Sequence, residues 1–226
     1  MRILIQLTCL SLITGVPSFA WASGSGSKPM PSMPRELTSQ QKARDAYNDG
    51  VHDVKKADKA QAAAAEATDA GKKDKAAHEA HDQYAAALAK FKESTELDST
   101  LHEAWNYVGY TSRKLGNYDE ALAAYDKALS LKPGYPDALE YRGEAYLGLG
   151  RIDDAKQAYL DLYAGNRTLA AKLLTAIKGW ATTQRASSTG TGGLNLDELD
   201  KWIQERSQIA GQTAALTRAG TASAWR

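Results

Sequence analysis

The chain has 226 residues, with 28 Lys+Arg against 27 Asp+Glu, four His and one Cys. A net charge this close to zero excludes a general electrostatic pull toward nucleic acid or an anionic membrane. A single thiol excludes a disulfide within the chain, and the length allows one or two small domains.

The chain opens with one positive charge, Arg2, and an apolar run over 3–16. Pro17-Ser18-Phe19 and the small-residue frame Ala20-Trp21-Ala22 follow. A charged start, an apolar centre and an A-x-A frame in that order read as a secretory signal peptide over 1–22. The run is interrupted by Gln6 and Thr8 and is too short to span a membrane. Cleavage after Ala22 removes Cys9, the sole cysteine, and the loss of Arg2 leaves the two signs of charge equal in number. Export, most simply to a periplasm, is the expected destination. Residues 23–40 begin Ser23-Gly24-Ser25-Gly26-Ser27 and carry Pro29, Pro31 and Pro34. That composition buries too little apolar surface to offset its ordering entropy, and it is expected to be a flexible linker.

From about residue 41 the reading is helical throughout. No proline lies between Pro34 and Pro133, and Ala, Lys, Glu and Asp dominate. The segment 51–66, rich in Ala and Lys, is strongly helical by propensity, and Gly71 is the nearest breaker. Two lengthened helices meeting near Gly71 would form a projecting hairpin; a flexible insertion is the alternative. Few large apolar residues support either form.

Beyond residue 84 the chain repeats at a period of 34 residues. Tyr107 maps to Tyr141, Gly109 to Gly143, Gly116 to Gly150, Ala121 to Ala155 and Tyr125 to Tyr159. Backward, Ala121 maps to Ala87, Tyr118 to Tyr84, Tyr125 to Phe91 and Leu131 to Leu97. Gly109 with Ala121, and Gly143 with Ala155, would let paired helices approach closely. Gly116 and Gly150 suit a left-handed helix end, and Pro133 cannot continue a helix. In the first copy the packing glycine is not at Lys75; the nearest match is Ala46-Tyr47-Asn48-Asp49-Gly50.

These residues resemble the tetratricopeptide-repeat (TPR) family, with Trp105-x-x-Val108-Gly109 and Gly116-Asn117-Tyr118-Asp119-Glu120-Ala121 in the best copy. The resemblance implies an all-α helix-turn-helix solenoid over 41–165, of about three repeats, the first with an extended hairpin. After it come a capping helix over 166–183, with Leu169, Leu173, Leu174, Ile177 and Trp180 on one side, and a flexible linker over 184–193. A C-terminal helix follows over 194–210, started by Asn195 with Glu198 and presenting Leu196, Leu199, Trp202 and Ile203. It reads either as a second packing helix or as a mobile one that docks elsewhere. A poorly ordered tail is expected over 211–226.

The resemblance also implies a function: a non-catalytic protein–protein interaction module, scaffold, adaptor or chaperone-like, that binds a partner peptide in the groove lined by the first helix of each pair. Carried onto this sequence, the groove residues are Glu103, Asn106, Tyr110, Arg113 and Lys114 in one copy and Asp137, Glu140, Glu144 and Leu147 in the next. Some family members grip a C-terminal carboxylate with Lys and Asn; Asp137 and Glu140 are at odds with such a clamp here. A partner of mixed charge with a basic stretch would complement the groove.

No nucleophile elbow, zinc-protease, P-loop or dinucleotide motif occurs, so no catalytic residues and no cofactor are expected. His78 and His81 share a helix face and are the only cluster with metal-ligand character. The alternative functions are therefore a metal-binding envelope protein using that pair, or a structural protein that self-associates through the Ala-rich hairpin. The tyrosines fall at repeat-packing positions, which favours core over a base-stacking platform.

Overall fold

A computed structural model describes residues 37–187 and 195–223, with side chains to 216. The signal peptide and most of the linker expected after it lie outside the described residues, as do 188–194. Among the described residues there are eight helices and no strand: α1 (Ser39–Glu66), α2 (Ala70–Leu97), α3 (His102–Lys114), α4 (Tyr118–Leu131), α5 (Pro136–Gly148), α6 (Ile152–Gly165), α7 (Arg167–Ala186) and α8 (Leu196–Ser223). The first six pair off as hairpins α1/α2, α3/α4 and α5/α6, which is the all-α TPR solenoid.

Both arms of the first hairpin are helical along their length. Thr38 and Gln41 form a reciprocal capping box at the start of α1. The turn is at 67–69, just before Gly71, which itself lies inside α2 without a positive φ. Asp69 does the work expected of the glycine: its carboxylate accepts from the Lys72 amide at 2.9 Å and starts α2. α1 buries Ala43, Ala46, Gly50, Val54, Ala57, Ala60 and Ala64, spaced three or four residues apart along one face. Small residues there bring α2 close, and Tyr84 and Phe91 supply the large buried groups. Phe91 lies against Gly50, where a Cβ would come within 2.7 Å of its ring. Ser94 Oγ fixes the register by donating to the Ala43 carbonyl at 2.8 Å.

The two short hairpins are copies of each other. α3 ends with Gly116 at φ 82, and α5 with Gly150 at φ 69. Around each, paired backbone bonds close a Schellman end: Asn117 N to Ser112 O and Gly116 N to Arg113 O, then Arg151 N to Tyr146 O and Gly150 N to Leu147 O. The packing glycines face larger groups than expected. A Cβ on Gly109 would sit 2.5 Å from the Tyr125 ring, and one on Gly143 would sit 2.5 Å from Leu173 Cδ2 of α7.

α7 covers the last repeat, burying Ala170, Leu173, Leu174, Ile177 and Ala181 against Leu147, Ala158 and Leu162. Its last residues extend into the stretch expected as linker. α8 packs on this layer in the same chain: Leu199 and Ile203 are buried, and Trp202 meets Tyr159 edge-on at 5.3 Å. Arg185 bridges to Asp197 and Asp200 at 2.9 and 2.7 Å. α8 continues to Ser223, where a disordered tail had been expected from 211. The continuation holds Ala, Gln, Leu and Arg and no proline, and the Thr213 hydroxyl sits 3.0 Å from that of Tyr163.

Candidate functional site

The first helix of each pair turns one side toward a common inner face. α3 and α5 lie parallel along it: their starts meet where His102 contacts Tyr135 at 5.0 Å, and their ends where Arg113 pairs with Glu144 at 2.7 Å. The helical repeat places Glu103, Asn106, Tyr110 and Arg113 on the shared side of α3, and one 34-residue period later it places Asp137, Glu140 and Glu144 on α5.

The middle of this face is a chain of aromatic rings. Phe91 stacks on Tyr107 at 4.8 Å, Tyr47 meets Tyr107 edge-on at 5.7 Å, Tyr107 meets Tyr110 at 6.1 Å, and Tyr110 meets Tyr141 at 5.1 Å. Each such contact adds about 0.5–1.5 kcal/mol beyond the area buried. Tyr47, Tyr107, Tyr110 and Tyr141 are only half-buried, so the chain of rings is also a surface. Burial, with Tyr107 and Glu103 adding to it, pushes the Tyr47 hydroxyl up to about 12. Burial likewise pushes Tyr110 up, reinforced by its bond to Asp58.

At the C-terminal ends of α3 and α5 every cation is engaged. The Tyr84 and Tyr110 hydroxyls both donate to Asp58 Oδ1 of α1, at 2.5 and 2.7 Å, and Lys114 donates to Gln61. Arg113 lies over Tyr110 and Tyr141, and Lys114 over Tyr84 and Tyr110. Burial, with Arg113 adding to it, holds the Lys114 ammonium below its usual range. Lys172 of α7 reaches Glu140 at 3.0 Å and covers Tyr141. Glu140 is 0% exposed, and burial followed by repulsion from Glu144 pushes its carboxyl up to about 7, with Lys172 opposing.

This changes the role of several expected contact residues. Leu147, at 5% exposure, is packed in the core beneath α7 and is not a groove contact. Asn106 at 2% and Glu140 at 0% are too buried to meet a partner broadly. Glu140 and Glu144 belong to an internal network with Lys172 and Arg113. Arg113 and Glu144 are largely covered and Glu140 is fully buried beside the half-exposed Lys172, so charge reversal at 140 or 144 would set two cations together and disturb the fold before it reported on binding. Glu103, Tyr110 and Asp137 keep partial exposure. Sequence reasoning missed Tyr47, Tyr107 and Tyr141 as a surface, although the 34-residue spacing of the last two was visible. It also missed Asp58, Gln61 and Lys172.

His78 and His81 are exposed on α2, and His81 Nδ1 lies 3.6 Å from the neighbouring Asp82. Among the described residues no group of three or more His, Cys, Asp or Glu is placed to hold a metal ion. No helix of the described residues is long and apolar enough to cross a membrane.

Comparison with known proteins agrees with this geometry. Residues 109–150 match the family model described as TPR repeat. The chain is similar to a curated relative from Schizosaccharomyces pombe described as "Heat shock protein sti1 homolog", with 32% identity over 117 residues. That match covers 50% of this chain and 19% of the relative, so it spans about a fifth of the relative's length.

Proposed function

The chain carries tetratricopeptide repeats and is a protein–protein interaction module, and from that premise we propose that its inner face binds an extended segment of a partner in the cell envelope, without catalysis. The observation that carries this reading is the partly exposed ring chain Tyr47–Tyr107–Tyr110–Tyr141, flanked by the ion pairs Arg113–Glu144 and Lys172–Glu140 of the protein itself. Tyrosine offers a partner large contact area at low conformational cost. Rings already fixed by neighbours lose little more on binding. The N-terminal segment with its A-x-A frame supports export, and the relative's printed name supports a scaffold or chaperone-like role.

A crosslinking pull-down from the native envelope tests this. The wild-type mature chain should recover a defined partner that is lost with Glu103→Lys/Asp137→Lys, both partly exposed on the inner face. A partner retained by that variant would move the site elsewhere. N-terminal sequencing of the exported protein should begin at Ser23; an unprocessed Met1 would remove the export reading.

A further inference from the structure

The two ends of the inner face differ in what they leave unsatisfied. Parallel α3 and α5 bring their first-turn acids, Glu103 and Asp137, to one end, and the basic last turn of α3, Arg113 and Lys114, to the other. Each sign suits its helix end. At the basic end the charges are used up: Arg113 by Glu144, Lys114 by Gln61, Lys172 by Glu140. Those same cations cover the rings of Tyr84, Tyr110 and Tyr141.

The acidic end has acceptors and few donors. Among the described residues Asp137 has no ion-pair partner and only the Tyr135 hydroxyl as a side-chain donor, and Glu103 has only His102 Nδ1 at 3.0 Å. Asn106, at 2% exposure and between Glu103 and Tyr110 on α3, leaves its Oδ1 without a donor, and His102 Nε2 is also unpartnered. No cation of the protein lies over Tyr47 or Tyr107 among the described residues, whereas Tyr135 is covered by Lys132 at 4.7 Å. Arg44 of α1 lines a recess of about 320 Å³ with Asp98, Thr100, His102 and Glu103, and among the described residues it forms no ion pair.

We propose that this end of the inner face is a socket for an arginine side chain of the partner segment, its guanidinium lying against Tyr47 and Tyr107 and donating to the carboxylates of Glu103 and Asp137. The proposal rests on the inner-face reading above and adds the chemistry of the occupant. A guanidinium fits better than an ammonium because its plane stacks on a ring while its edge donates to carboxylates.

The probe is a capped, fluorescein-labelled peptide with two arginines in a Gly/Ser background, compared with lysine and citrulline versions by fluorescence anisotropy. The arginine peptide should bind at least about tenfold tighter than its uncharged citrulline counterpart, with lysine between. Asp137→Asn and Glu103→Gln should each weaken it about fivefold or more, and Arg44→Ala, which removes a competing cation, should tighten it. Circular dichroism of each variant confirms folding. Asp153→Asn, at an exposed acid of α6 away from the socket, should change nothing. Equal behaviour of the arginine and citrulline peptides, including failure of both to bind, would overturn the socket. So would an Asp153→Asn effect as large as that of Asp137→Asn, which marks general charge attraction. If a partner is still captured by a crosslinker at Asn48 of the inner face, failure of the peptide removes only the socket. Loss of both removes the inner-face reading as well.

Discussion

Replacing Glu140 by Gln isolates the internal electrostatics of the inner face. The wild-type carboxyl is fully buried and pushed up from 4.5 to about 7, by burial first and Glu144 second. Because Glu144 couples to it, the titration belongs to the pair. Between pH 4.5 and about 7 the folded protein holds a proton that the unfolded chain has released. Stability therefore falls as pH rises through that window, and the loss is complete above about 7. The gap corresponds to about 3 kcal/mol as a ceiling. A Gln at 140 is close to the shape of the protonated acid, can still accept from Lys172, and does not titrate. Urea unfolding of both proteins should give similar stabilities at about pH 5 and a Gln variant more stable by about 1–3 kcal/mol at about pH 8. Taking the difference between the two proteins cancels acids whose folded carboxyls are held low, such as Glu120, bonded by Lys92, and Asp98, bonded by Thr100. A difference that stays flat from about pH 5 to about 8 would refute the reasoning.

The packing glycines give paired expectations. Gly109→Ala drives a methyl to 2.5 Å from the Tyr125 ring and should cost about 1–3 kcal/mol by urea unfolding. Gly179→Ala, in the open interior of α7, should stabilise by up to about 1 kcal/mol. At Gly150, with φ 69 and open space around it, Ala should cost about 1–2 kcal/mol through backbone strain alone. Leu199→Ala removes a side chain only 2% exposed and should cost about 2–5 kcal/mol, with faster hydrogen exchange in α8 and unchanged protection in α4.

The repeat architecture was legible because its markers are local. Gly116 and Gly150 need a left-handed backbone wherever they stand, and the same offset that separates them recurs in the aromatic positions. The long first hairpin was legible for a related reason: Gly50 keeps its partner Phe91, just as Gly109 keeps Tyr125, only with more chain between. The turn was expected near Gly71 and lies just before it, at 67–69; what the glycine did not show is that Asp69 starts α2 by capping it. The helix beyond residue 210 was not legible because the contact that anchors it, Thr213 against Tyr163, is a tertiary one.

The site was less legible, since its content depends on which charges find each other across helices. Glu140 and Glu144 carry the same formal charge as Asp137 in sequence. Packing separates internal partners from available ones: α7 brings Lys172 beside Glu140, and α3 brings Arg113 beside Glu144. Tyr107 and Tyr141 were visible at their spacing, but whether a ring packs inward or stays half-open is a tertiary property.

Site-specific photo-crosslinking tests the inner-face account most directly. A photoreactive residue replaces Asn48, exposed on α1 at the position that corresponds to Tyr107, and in separate proteins replaces Leu160, 40% exposed on α6, or His78 on the first hairpin. In the native envelope, position 48 should give a discrete adduct and positions 160 and 78 none. Adducts from 78 or 160 with none from 48 would place partner binding on the hairpin or the outer row of helices and contradict the inner-face account.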